Sequence, residues 1–220
     1  MRKLPALIAF AATGLLLSLA ALGLLLFARS REAPAVGPLA AALAELRVLD
    51  FELTDDRGEP ADESLFEGQV TILSFIFTRC PLACPGMTRA GIEAQERLAG
   101  TGVQLVSISV DPGHDTPEVL AAYAEERGID RSNWRLLTGD EATVRRLARE
   151  GLRFLLEVDP GTQLPMPDGS TISNIAHPTK LILVGPDRRV LGLYDPPVPG
   201  EIDRLVADAR RAAERAGLSG

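Results

Sequence analysis

The stretch VTILSFIF, residues 70–77, is a near-continuous apolar run of β-type residues with no polar face. A strand of this pattern has to be covered on both sides, so it belongs to a sheet with helices above and below it. A second run of the same kind, VQLVSISV at residues 103–110, follows after a segment (85–99) that reads as a helix. Two buried strands separated by a helix are the unit of a parallel sheet. The hydrophobic fraction, 46% of 220 residues, is ample for the core that such a sheet requires.

From Leu49 onward the alternation continues. FELTDDRGEP reads as a strand and turn, with the bend at Asp56, Arg57 and Gly58. Thr116 is placed to cap a helix over 117–127 whose first position, Pro117, is preset for helical φ and lacks the amide hydrogen that would be unpaired there. RLLT (135–138) reads as a short strand, and Asp140 as the cap of a helix running to about Glu150. LRFLLEV (152–158) precedes a Pro/Gly-rich excursion at 160–173. Strands at 179–185 and 189–195 form a hairpin around GPDRR, and an amphipathic helix over 201–215 closes the chain. The expected class is α/β, with helices on both faces of one sheet.

The amino-terminal segment is different in kind. Residues 4–28 carry no charge over 25 positions, enough for a helix to cross a hydrocarbon core about 30 Å thick. That is longer than the apolar region of a cleavable signal, roughly 7–15 residues, and no small-x-small cleavage pattern closes it. The expected organisation is a membrane anchor at 1–28, a linker at 29–48 containing Pro34, Gly37 and Pro38, and one domain at 49–220. Arg2 and Lys3 are balanced by Arg29 and Arg31, but the short charged terminus suits the cytoplasm, which leaves the domain on the outer, oxidising side. The net charge of −7 argues against a nucleic-acid partner.

Both cysteines of the chain, Cys80 and Cys84, fall directly after the first buried strand, and each is followed by a proline. Pro85 disfavours the helical conformation at Cys84 and suits a first helical position, so both thiols fall on a loop at a helix amino terminus. Unpaired amides and the helix dipole there favour a thiolate, with Arg79 a positive neighbour in sequence. A structural disulfide across so short a loop removes little chain entropy, which leaves redox or metal chemistry as the better readings. The three-residue spacing is wider than that of the usual dithiol oxidoreductase and can present two sulfurs to one soft ion, such as Cu(I), or to zinc.

A third ligand would come from one of two histidines. His177 stands just before a predicted buried strand, next to the cysteine loop in a thioredoxin-like sheet. His114 lies in SVDPGHDTPEVL, among Pro112, Gly113 and Asp115, in what reads as a solvated turn. Asp111 ends a strand on the side of the cysteine loop and is a candidate for a hydrogen bond near the site or a simple cap. Met87 is read as core and Met166 as an exposed loop residue.

A thiol pair placed after a central strand and at a helix start narrows the fold, by analogy, to a thioredoxin-like one. With SFIFTRCPLACP, SVDPGHDTPEVL and a histidine before a strand in place, the chain resembles the Sco/SenC family of copper-binding, thioredoxin-fold proteins, from about Leu49 to the final helix. The resemblance implies one copper ion per chain, Cu(I) or Cu(II), held by Cys80, Cys84 and His177. It further implies a single-pass protein of the inner (cytoplasmic) membrane, its domain on the periplasmic side. The implied role is assembly of cytochrome c oxidase, by delivering copper to the dinuclear centre of subunit II, or to another copper-accepting exported protein. The alternative is a thiol–disulfide oxidoreductase whose redox pair Cys80 and Cys84 reduces the partner's cysteines. A thioredoxin-fold peroxidase fits the paired thiols and histidine least well. Pro178 departs from the small polar residue more usual after the histidine and is a candidate cis proline.

Overall fold

A computed structural model describes residues 42–43, 45–81, 84–166 and 169–218. The anchor expected at 1–28 and most of the linker lie outside the described residues. Among the described residues, no helix is long and apolar enough to cross a membrane.

The two apolar runs are the centre of the sheet. Strands β1 (Glu52–Asp55), β2 (Pro60–Asp62), β3 (Thr71–Ile76), β4 (Gln104–Ser109), β5 (Trp134–Thr138), β8 (Leu181–Val184) and β9 (Val190–Tyr194) form one sheet in the order β2-β1-β5-β4-β3-β8-β9. β3, β4 and β5 run parallel, while β8 lies antiparallel to β3 and β9 antiparallel to β8. Every residue of β3 and β8 is buried, as a strand covered on both faces requires.

The helices are α1 (Cys84–Arg97), α2 (Pro117–Arg127), α3 (Glu141–Arg146) and α4 (Glu201–Ala216), and α3 continues into a π-helical turn (Leu147–Gly151). Thr116 Oγ1 accepts from the Val119 amide and Pro117 opens α2, as the sequence predicts. Asp140 caps α3 by accepting from the Thr143 amide. α4 buries Leu205, Val206, Ala209 and Ala213, one stripe at helical spacing.

Two departures concern the boundaries of the domain and its largest loop. Leu46 and Val48, read as the end of the linker, are buried in the core. Arg47 bridges Arg189, and its amide donates to the Gly151 carbonyl at 3.0 Å. The Pro/Gly-rich excursion is not irregular: it is a hairpin of β6 (Glu157–Pro165) and β7 (Thr171–Ala176), forming a sheet of its own. The register slips between Asp159 and Gln163, where Pro160 and Gly161 stand out of the ladder.

Candidate metal centre

Topology brings three distant segments to one end of the sheet. The cysteine loop leaves the carboxyl end of β3, and the segment after β4 leaves the same end, because the two strands are parallel with Ser74 opposite Ser107. β8 is antiparallel to β3, with Ile182 opposite Leu73, so the residues that lead into β8 arrive at that end as well. Ligand sites of open parallel sheets collect at strand carboxyl ends for this reason. His177 follows β7 directly; the hairpin missed from the sequence is the element that carries it.

Cys80, Cys84 and His177 meet there, with one ligating atom from each lying within 4.8 Å of the others. Cys84 Sγ is 3.6 Å from His177 Nε2. With bond lengths of the order found for zinc, about 2.3 Å to sulfur and 2.0 Å to nitrogen, one ion would set these atoms about 3.5 Å apart in tetrahedral and 3.7 Å in trigonal geometry. The separation fits a shared ion, and two thiols with one imidazole are a soft donor set.

The imidazole is held in the tautomer such a site needs. Nδ1 lies 3.1 Å from the Pro178 carbonyl oxygen, which can only accept, so Nδ1 carries the hydrogen and Nε2 offers its lone pair to the sulfurs. The ring also stands edge-on to Phe77, with centroids 5.6 Å apart and planes at 85°. No peptide bond among the described residues is cis. The bond before Pro178 is therefore trans, not the cis form for which that proline was a candidate.

No disulfide joins Cys80 and Cys84, and both stand as thiols. Cys84, the first residue of α1, is 1% exposed and Cys80 6%, behind a half-buried His177. The expectation of a readily formed thiolate at the helix start needs correction for Cys84. Its hydrogen bond to the Cys80 sulfur, followed by burial, holds the Cys84 thiol well above the ordinary range. Two sulfurs this close in a dry site do not ionise together without a cation between them.

The segment after β4 holds a further surprise. His114 is exposed and stands apart from the three donors. Asp111 accepts from Arg79 Nη2 at 2.6 Å and Nε at 3.2 Å, an ion pair that braces the residue preceding Cys80. Asp115, which reads as part of a solvated turn, is completely buried. Its carboxylate accepts from the Thr78 amide (3.1 Å), from Thr78 Oγ1 (2.5 Å) and from Ser109 Oγ (2.6 Å). Burial pushes its carboxyl up, against these hydrogen bonds, which lower it. The turn from Asp111 to Asp115, with the His114 and Asp115 amides both donating to the Asp111 carbonyl, folds the side chain inward. A run of Asp, Pro, Gly and His gives no local signal of that.

Comparison with known proteins agrees with the geometry. A family model described as SCO1/SenC matches residues 41–214. The SCO1 protein homolog of Bacillus subtilis is 27% identical over 166 residues, covering 74% of this chain and 81% of that one. The crystal structure of a SCO1/SenC family lipoprotein from Bacillus anthracis matches with a TM-score of 0.65 at 27% identity, over 77% of this chain and 96% of that one. Arabidopsis thaliana ScoI, solved with copper bound, matches with a TM-score of 0.61 at 25% identity, over 76% of this chain and 98% of that one. The fold is thioredoxin-like, and the chain belongs to the SCO1/SenC family.

Proposed function

We propose that this protein is a membrane-anchored copper metallochaperone that assists assembly of the dinuclear copper centre of cytochrome c oxidase subunit II. Residues 1–28 anchor it in the inner membrane, the chain from 29 to about 45 acts as the tether, and the domain, which takes in Leu46 to Val48, works on the periplasmic side. One copper ion per chain is the cargo, held by Cys80, Cys84 and His177. The observation that carries this reading is the 3.6 Å approach of Cys84 Sγ to an Nε2 that carries no hydrogen and turns its lone pair to the sulfurs, with the Cys80 sulfur inside the same cluster. Two thiolates and one imidazole satisfy a soft ion without enclosing it, and the half-exposed imidazole leaves a side from which an acceptor's ligands can approach.

A second reading is favoured by the contact between two thiols that no disulfide joins. As a reductase of the same target, the pair would pass two electrons and two protons to a partner disulfide. Cys80 and Cys84 would end as a disulfide and the partner as two thiols. The two roles exclude each other in time, because oxidised sulfurs cannot ligate copper.

The test is anaerobic Cu(I) titration of the reduced full chain in detergent, beside His177→Ala and Cys84→Ser. The chaperone reading expects one tight ion per chain, lost in Cys84→Ser and weakened in His177→Ala, while disulfide exchange survives in His177→Ala. Absence of tight binding by reduced, folded protein would hand the site to thiol exchange alone.

A further inference from the structure

We propose that Asp115 is a positioning residue of the metal centre: its carboxylate ties Thr78 to the end of β4 and so fixes where the Cys80 sulfur stands before any ion arrives. The proposal rests on the copper-site reading above, but its central observation is independent of metal.

Thr78 lies two residues before Cys80, in the bend where the Cys80 amide turns back to the Phe77 carbonyl at 3.1 Å. A bend after a strand end has few ladder bonds of its own. Its anchor is Asp115, which takes both the amide and the hydroxyl of Thr78 while also holding Ser109 at the end of β4. β4 is itself locked beside β3 by the parallel ladder and by the Val110 amide on the Ile76 carbonyl. The chain of contacts therefore runs from the rigid sheet, through one buried carboxylate, to the residue from which the cysteine loop departs.

The chemistry of the donors explains why a carboxylate stands here. Three donors converge, two on Oδ2 and one on Oδ1, and a carboxylate is acceptor-only with room for all of them. Among the described residues no arginine or lysine forms an ion pair with Asp115; nearby Arg79 is engaged by Asp111 instead. A fully buried anion held by neutral donors is costly to keep, so its presence beside the cysteine loop calls for a role in which those donors matter.

Asparagine and alanine separate position from charge. In Asp115→Asn the amide oxygen can stand at Oδ2 and accept from Ser109 and the Thr78 amide, while its NH2 at Oδ1 donates to the Thr78 hydroxyl, which can accept. The geometry survives and the charge is gone. Asp115→Ala loses all three bonds.

The experiment follows two readouts in the full chain. The first is hydrogen exchange of the Thr78 amide in reduced, metal-free protein: protected in wild type and Asp115→Asn, fast in Asp115→Ala. The second is Cu(I) affinity by competition with a chelator: near wild type in Asp115→Asn and weaker by about 10- to 100-fold in Asp115→Ala, the range found when a group supporting a ligand is removed. Val144→Ala, a buried change in α3, which contributes no side chain to the site, controls for general loosening. The proposal is overturned if Asp115→Ala keeps its Thr78 protection. It is equally overturned if Asp115→Asn loses as much affinity as alanine, or if Val144→Ala loses copper equally. Failure of wild type to bind copper would sink the metal reading and leave the exchange result to judge the positioning.

Discussion

Replacing Gly91 by alanine should destabilise this protein, although a helix scale on its own predicts the reverse. Gly91 is buried in α1, and a Cβ there would overlap Trp134 Cη2 and come within 3.2 Å of Cζ2 and Cζ3. The indole is poorly placed to retreat: it is buried in β5, and its Nε1 donates to Ser107 Oγ at 3.0 Å, with Ser107 also bonded to Ser74 at 2.8 Å. Turning the ring would strand a buried N–H, at about 1–3 kcal/mol. Backing α1 off the sheet is overpacking relief, which costs about 1–3 kcal/mol, and a deep overlap with a rigid ring sits at the upper end. Alanine recovers about 1 kcal/mol of helix propensity over glycine. The net is a loss of about 2 kcal/mol, or a melting temperature lower by about 4–8 °C for a domain of this size. Because α1 begins at Cys84, the same displacement should weaken copper binding. Urea unfolding of the reduced chain, followed by tryptophan fluorescence and far-UV circular dichroism, measures the loss. A variant as stable as wild type, or more stable by the propensity increment, would refute the claim that Trp134 limits how closely α1 approaches.

Two further outcomes follow from the thiol pair and the core. The Cys84 thiol is held up by Cys80 and by burial, so binding an ion must release its proton, and Cu(I) affinity should climb about tenfold per pH unit for each proton released. The metal-free fold should respond with the opposite sign. A thiol raised in the folded state contributes stability that is present below its unfolded value, about 8.5, and lost as pH rises above it. Chelator competition across neutral pH and denaturant curves on either side of that value check both slopes; a flat affinity profile would contradict the first. Removing copper should leave the domain folded, because its core forms one buried cluster without it. Ion at a hundredfold excess over its dissociation constant should add only about 2.7 kcal/mol. Loss of the circular dichroism signal on chelation would show that the ion is part of the fold.

What could be read from the sequence was what depends on local pattern or strand order. β3 and β4 announced themselves because burial on both faces leaves an uninterrupted apolar run, and Thr116 with Pro117 announced α2 because capping chemistry is local. Cys80, Cys84 and His177 could be brought together because a thiol loop after β3 and a histidine before an antiparallel neighbour share one end of a sheet. The hairpin of β6 and β7 was hidden because it pairs only with itself, β6 is mostly exposed and β7 only half-buried, so no apolar alternation marks it. The buried Asp115 was hidden for a different reason: its turn is polar throughout, and only the tertiary position of Thr78 gives the carboxylate its donors.

The thiol pair shows why residue type and spacing alone misjudge such a site. Read singly, each cysteine at a helix start is a candidate thiolate; read together, Cys84 keeps its proton because Cys80 stands against it. An incoming cation removes that conflict by giving two negative sulfurs a common partner, so the resistance to ionisation that disfavours the empty dithiolate becomes a preference for metal. Oxidation removes the conflict as well, by joining the sulfurs. The same closeness therefore lets either copper or a disulfide settle the pair, and the imidazole separates the two outcomes. His177 Nε2, with Nδ1 fixed on the Pro178 carbonyl, contributes to the copper state and has no bond to make in the disulfide. Dithiol exchange needs two sulfurs and no third ligand, whereas a bound ion loses one of its three donors in His177→Ala, so that variant separates the two readings more cleanly than any cysteine variant, which disables both.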